Sequence, residues 1–231
     1  VEAVMTVLDP AGLAHPVIIS ESGRAIVADA SVLVFNILDV TRFEPAPLPD
    51  QLDPGEHPQL HLLREVEDYF SAKNLQECYN DAHYYLDEIR ELFRRGQIPL
   101  RAMALAESLF LKIIRRIARE LEAGVPVPTE LAGLADSVAD IYYANFSIFQ
   151  SLPDAWAIGQ LFPVVPLHRH REPPTRQAVI ADITCDCDGK IDKFPDISQE
   201  KTSVMLHPLN DTEEYYLGVF LVGAYQETLG D

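Results

Sequence analysis

Two thiols and four carboxylates crowd into one short stretch, ADITCDCDGKID, from Ala181 to Asp192. Cysteine and aspartate at that density serve a metal clip, a disulfide or a catalytic thiol. A closed zinc site needs four ligands at a recognisable spacing. Cys185 and Cys187 give a C-x-C pair, while the remaining cysteine, Cys78, falls on the apolar stripe of a helical pattern. His57 and His61, or His168 and His170, could add nitrogens, but neither pair is tied by spacing to the two thiols. No metal is expected there. A disulfide across C-x-C would be strained. A plain acidic turn fits the same residues, since Asp and Gly form turns. By residue type alone that plain reading wins.

A second stretch, PVIISESGR, ends in Glu21, Gly23 and Arg24. It reads as a polar turn, or as a carboxylate, a backbone amide and a guanidinium side by side. Such a trio can bind a group with a protonated ring nitrogen at one end and a phosphate at the other. Pyridoxal phosphate is such a group, and its electron-sink chemistry needs an acid at the ring nitrogen. Near the end, VGAYQE adds Gly223 and Tyr225, a glycine for close approach and a phenol.

The bulk properties set limits on partners. The 231 residues carry 36 acids against 18 Lys plus Arg, a formal net charge of -18. That balance argues against nucleic acid and suits a cationic ligand. Three cysteines are an odd number and too few for a disulfide scaffold, which points to a reducing, cytoplasmic setting. No apolar run approaches membrane-spanning length, and no signal peptide opens the sequence.

Three textures follow one another. From Val1 to about Asp50 the pattern is strand-like: HPVIISESGR reads as a buried apolar strand and AIVADASVLVFNILDV as further strand. FEPAPLPDQLDPGEHP is a Pro-rich connector. From about Gln59 to Asn145 the period becomes helical, with Leu75, Cys78, Ala82, Leu86, Ile89 and Phe93 on one stripe. Asn74 with Glu77 makes a capping-box pattern, and Gly96 suits the exit. A second long helix follows Pro99, carrying Met103, Phe110, Ile113, Ile117 and Leu121 to a stop at Gly124. Shorter patterns on either side bring the bundle to about four helices. From Phe146 onward QLFPVVPL, RQAVIADITCD, SVMLHPL and YYLGVFLVGAYQE return to short strands. The order suggests a helical bundle inserted into a β domain.

HPVIISESGRA, FSIFQSLPDAWAIGQLFPVVPLHR, RQAVIADITCDCDGKID and YYLGVFLVGAYQETLGD, in that order, resemble the biosynthetic arginine decarboxylases. These are relatives of the ornithine and diaminopimelate decarboxylases, with an alanine-racemase-like fold. The resemblance implies an α+β architecture: the C-terminal β domain of a fold-type III pyridoxal phosphate decarboxylase, interrupted by a helical-bundle insert. Residues 1–50 would be the end of an α/β barrel and the first β-domain strands, 51–145 the insert, and 146–231 the rest of the β domain. The bundle favours arginine over ornithine or diaminopimelate, because other members of the fold mostly lack it.

The resemblance also implies roles. Glu21 would pair with the pyridinium nitrogen, Gly23 and Arg24 would lie at the cofactor phosphate, and Tyr225 would pack at the cofactor. Cys185 matches the cysteine that enters the partner subunit's active site and protonates the substrate carbon after CO2 leaves. Asp186 matches the acid that recognises the cationic end of L-arginine, with Asp188 in reserve and Asp154 a weaker candidate. The family usually has Ser where Cys187 stands, which creates a second thiol beside the first. Mg2+ often accompanies members of this type, though no site for it is visible here. The barrel with the Schiff-base lysine has no counterpart in this sequence, so the reading expects a piece of a longer enzyme, inactive by itself. The other readings are a non-catalytic regulatory relative that keeps the fold and dimer interface, and a helical interaction module on a β scaffold.

Overall fold

The computed structural model describes residues 1–122, 128–197, 200–210 and 213–230. Helix α1 (Glu2–Leu8) opens the chain, residues 13–22 have no regular structure, and helix α2 (Gly23–Val27) runs into a 3-10 turn at Ala28–Ala30. Strand β1 (Leu33–Thr41) leads to the bundle helices α3 (Pro58–Asp68), α4 (Leu75–Arg94) and α5 (Leu100–Glu122), with the short α6 (Leu134–Ser137) after them. Strand β2 (Asp140–Ala144), helices α7 (Ile148–Ser151) and α8 (Pro153–Ile158), and strands β3 (Val164–Pro166) to β4 (Arg176–Ala181) follow. The chain closes with β5 (Lys190–Ile191), β6 (Val204–Leu206), β7 (Tyr215–Val219) and α9 (Gln226–Leu229).

The helical stripe does what its spacing requires. Leu75, Cys78, Ala82, Leu86 and Ile89 of α4 are buried against Leu60 and Leu63 of α3 and Ile113 and Ile117 of α5. Phe93, the last residue of the stripe, stays exposed in the final turn. Each fully buried Leu or Ile contributes about 1.5–3 kcal/mol relative to exposure. Gly96 ends α4 at φ +70°, with its own N–H bonding Phe93 O and that of Gln97 bonding Leu92 O. That pair of bonds is a Schellman ending, which a left-handed glycine accommodates without a Cβ penalty. The capping box at its other end does not form. The Asn74 carboxamide faces backward, accepting from Ser71 N at 2.8 Å and donating to Tyr69 O at 3.1 Å. His57 caps α3, its Nδ1 accepting from Gln59 N. In α5, Met103, Ile113 and Ile117 are buried, and the expected stop at Gly124 lies outside the described residues.

The sheet is assembled from both flanks of the bundle. Its strand order is β3-β7-β1-β2-β4-β5, with β6 also paired to β4. Strand β1 therefore sits between β2 and β7, which come after the bundle in sequence. A separate core of Phe35, Tyr142, Ile180, Leu206 and Leu217 lies under it. Arg176 of β4 donates to Asp140 of β2 and to Glu44 in the connector after β1, and Arg115 of α5 reaches the same connector, donating to Phe43 O at 2.6 Å. The Arg176 guanidinium holds the Glu44 carboxyl below its ordinary range.

Three parts of the sequence reading need correction. Residues 13–22 do not form a buried strand: Val17 and Ile19 are 89% and 91% exposed. Apolar β-branched residues favour a strand only where a neighbour pairs the backbone, and no described strand pairs this segment. AIVADASVLVFNILDV is strand only from Leu33; its first part forms α2 and the 3-10 turn. The helical region also stops short of Asn145, because DIYYA forms β2 with alternate residues buried.

Candidate functional site

Arg24 leaves the short α2 and reaches across the fold to Asp154, its Nη1 donating to Oδ2 at 2.8 Å. Asp154 lies in the first turn of α8 and is only 7% exposed. Pro153 opens that turn with a preset φ, and Gly159 ends it in the left-handed region. A second donor, Gln226 Nε2, meets the same oxygen at 2.7 Å, and Gln226 Oε1 accepts from Asp154 N at 3.1 Å. The buried carboxylate is thus held by a charge and an amide, which offset its desolvation.

Tyr225, one residue before Gln226, lies 5.0 Å from the Arg24 guanidinium, ring centroid to Cζ. Its backbone takes φ +71°, an uncommon conformation for a bulky residue. Gly223 makes the approach possible. Its N–H bonds Ala28 O at 2.9 Å, and a Cβ there would come 2.0 Å from Val27 O. The C-terminal turn is thereby pressed onto the end of α2, so Arg24, Tyr225 and Asp154 converge. Gly23 begins α2 beside Arg24, with open space where a Cβ would stand. Glu21 lies two residues before it, exposed, and takes no part in the Arg24–Asp154–Gln226 cluster.

The thiol loop is a second constellation. Cys185, Asp186, Cys187 and Asp188 are all exposed, and both thiols are free. Buried Asp182 anchors the loop. Its Oδ1 accepts from Thr184 N at 3.1 Å and Thr184 Oγ1 at 2.8 Å, and its Oδ2 accepts from Ile148 N at 2.9 Å. Asp186 Oδ1 turns back to accept from Asp188 N at 2.9 Å. Donor atoms of Asp186, Cys187 and Asp188 lie within 4.8 Å of one another on the surface. His168 is occupied elsewhere, its Nε2 accepting from Tyr216 N. Cys78 is core, and burial pushes its thiol up.

Beside the thiol loop lies a cleft of about 370 Å3, floored by Leu152 and Phe162 and rimmed by Trp156, Asp188 and Asp192. Helix α7 connects the two constellations: its first amide bonds Asp182, and it packs on both α8 and α9. Among the described residues no hydrogen bond or ion pair runs directly between the Arg24 cluster and the Cys185 loop. Sequence reasoning missed Gln226 and Asp182. The signal for each was a polar residue next to a buried run, VGAYQ and AVIAD.

Residues 53–135 match the family model described as the arginine decarboxylase helical bundle domain. Over 220 residues the chain is 46% identical to the biosynthetic arginine decarboxylase of Deinococcus radiodurans, covering 94% of this chain and 33% of that one. Over nearly its whole length the chain is similar to biosynthetic arginine decarboxylases. The arginine decarboxylase of Thermosynechococcus vestitus is 44% identical across 95% of the chain. Among solved structures, the crystal structure of the biosynthetic arginine decarboxylase from Campylobacter jejuni superposes with a TM-score of 0.68 at 32% identity. It covers 98% of this chain and 36% of its own. The chain spans about a third of the length of the curated arginine decarboxylases it matches. No helix among the described residues is long and apolar enough to cross a membrane.

Proposed function

We propose that this chain is the bundle and β-domain portion of a pyridoxal phosphate-dependent arginine decarboxylase, converting L-arginine to agmatine and CO2 on the cytoplasmic route to polyamines. The observation that carries the proposal is the exposed Cys185–Asp186 pair, held on an anchored loop within a chain that matches an arginine decarboxylase over 94% of its own length. On this reading residues 1–50 close a barrel and open the β domain, the insert begins near residue 51 and ends before Asp140, and the remainder completes the β domain.

The donor chemistry at Arg24 fits the cofactor: a guanidinium for phosphate, a phenol beside it, and the carboxylate of Glu21 three residues earlier for a protonated ring nitrogen. When bound, pyridoxal phosphate supplies the electron sink that makes loss of CO2 feasible. The chain's own residues would do the rest. Arg24 and Gly23 would hold the phosphate end, Tyr225 would pack at the cofactor, and Glu21 would keep the ring nitrogen protonated. Asp186, with Asp188 in reserve, would hold the guanidinium of arginine. Cys185 would deliver a proton to the substrate carbon. Because the loop faces outward, it suits delivery of thiol and acid into the site of a second subunit. The described residues supply no assignment for Mg2+.

The test is product analysis in the complete enzyme. Cys185→Ala should lower agmatine formation by roughly 10²–10⁴-fold, the usual loss with a general acid, and should release an aldehyde in its place. Asp186→Asn should raise KM for arginine by removing a charge-assisted contact. Cys187→Ser should be nearly silent. Aberrant products from Cys187→Ser with normal turnover by Cys185→Ala would move the role to the other sulfur.

A further inference from the structure

We infer that Asp182 is a positioning residue that sets the Cys185 loop and helix α7 together from one buried carboxylate. Its catalytic consequence rests on the decarboxylase reading; its structural claim does not. Asp182 is 7% exposed and lies immediately after β4. Its two oxygens face opposite duties. Oδ1 takes the amide and hydroxyl of Thr184, the residue before Cys185. Oδ2 takes the amide of Ile148, the first residue of α7, 34 positions away in sequence. Its own N–H bonds Gly189 O at 2.7 Å, closing the loop at its far end.

Gly189 belongs to the same device. A Cβ on it would stand 2.0 Å from Asp182 Oδ1, so only glycine lets the loop close over the carboxylate. Thr184 passes the constraint on, its hydroxyl lying 3.4 Å from Asp186 N. Beyond Ile148, α7 packs on α8 and α9, which carry Asp154 and Gln226. One carboxylate thus fixes the loop that presents thiol and acid and the helix that abuts the Arg24 cluster. An aspartate is required because all three donors point at it. The carboxamide of asparagine has one acceptor oxygen, and its NH2 would oppose an N–H. Two acceptor oxygens from one short side chain cannot be replaced that way.

The test is Asp182→Asn in the complete enzyme, read by amide hydrogen exchange as well as by turnover. Loss of a buried hydrogen bond should speed exchange by about tenfold at both Thr184 and Ile148, with the β4 amides unchanged. Displacement of the thiol by a fraction of an ångström to an ångström should lower kcat by about 10–100-fold. Thr184→Val, at an exposed position, should lower kcat while leaving exchange at Ile148 unchanged, and it decides the question should Asp182→Asn not fold. Faster exchange at Thr184 alone would overturn the joint role, as would full turnover by Thr184→Val. Cys185→Ala run alongside separates the two readings. If it keeps full turnover, the decarboxylase assignment of the loop fails while the exchange result still judges Asp182.

Discussion

The bond between Arg24 and Asp154 should be energetically coupled, and a double-mutant cycle measures by how much. Arg24→Met keeps the stem and removes the charge; Asp154→Asn keeps the shape and removes the other charge. Asp154 is 7% exposed and its partner's side chain 36%, so the pair sits between the buried and surface limits. A hydrogen bond to a charged group contributes about 1.5–3 kcal/mol when buried, and a fully exposed pair about 0.2–1 kcal/mol. The half-exposed guanidinium places this pair near 1–2 kcal/mol, a factor of about 5–30 in the folded-to-unfolded ratio. The singles should differ in cost. Arg24→Met leaves Asp154 with Gln226 as its donor and should be the more destabilising, because a buried charge loses its counter-ion. Asp154→Asn leaves Arg24 free to turn toward water. Urea unfolding of the two singles and the double gives the coupling energy directly. A coupling below about 0.3 kcal/mol, the scatter of independent sites, would refute the claim that this contact holds α2 against α8.

On the cofactor role proposed for Glu21, Glu21→Gln in the complete enzyme should lower kcat with little change in stability, because an amide cannot keep a pyridinium nitrogen protonated and Glu21 is exposed; matched steady-state and unfolding measurements check both halves. His83 packs between Tyr79 and Phe110, and burial lowers its pKa from 6.5. The unfolded chain then binds the proton better, so this contribution is intact above pH 6.5 and is lost as pH falls below it. His83→Phe should flatten the dependence of unfolding midpoint on pH between about 7.5 and 5.5, and an unchanged slope would place the dependence elsewhere. Gly223→Ala should cost about 1–3 kcal/mol, since its Cβ would meet the Val27 carbonyl at 2.0 Å; an unaltered denaturation midpoint would contradict that contact. Leu86→Ala, at 1% exposure in the bundle core, should cost about 2–5 kcal/mol by the same measurement.

What the sequence determined was local and periodic. The α4 stripe from Leu75 to Ile89 and the Gly96 exit were legible because a helix repeats every 3.6 residues and a left-handed ending wants glycine. The thiol loop was legible only as composition: by residue type alone it reads as an acidic turn, and the role proposed for Cys185 came from the resemblance to arginine decarboxylases. Tertiary structure decided what depends on a distant partner. PVIIS has the composition of a strand but finds no described neighbour to pair with, while DIYYA, short and bracketed by helical patterns, becomes a strand between β1 and β4. Asn74 was placed for a capping box, yet the turn before it supplied closer partners. Arg24 and Asp154 stand 130 positions apart, and Asp182 and Ile148 stand 34 apart. No spacing rule reaches that far, because such contacts form only after the sheet has drawn together chain from both sides of the bundle.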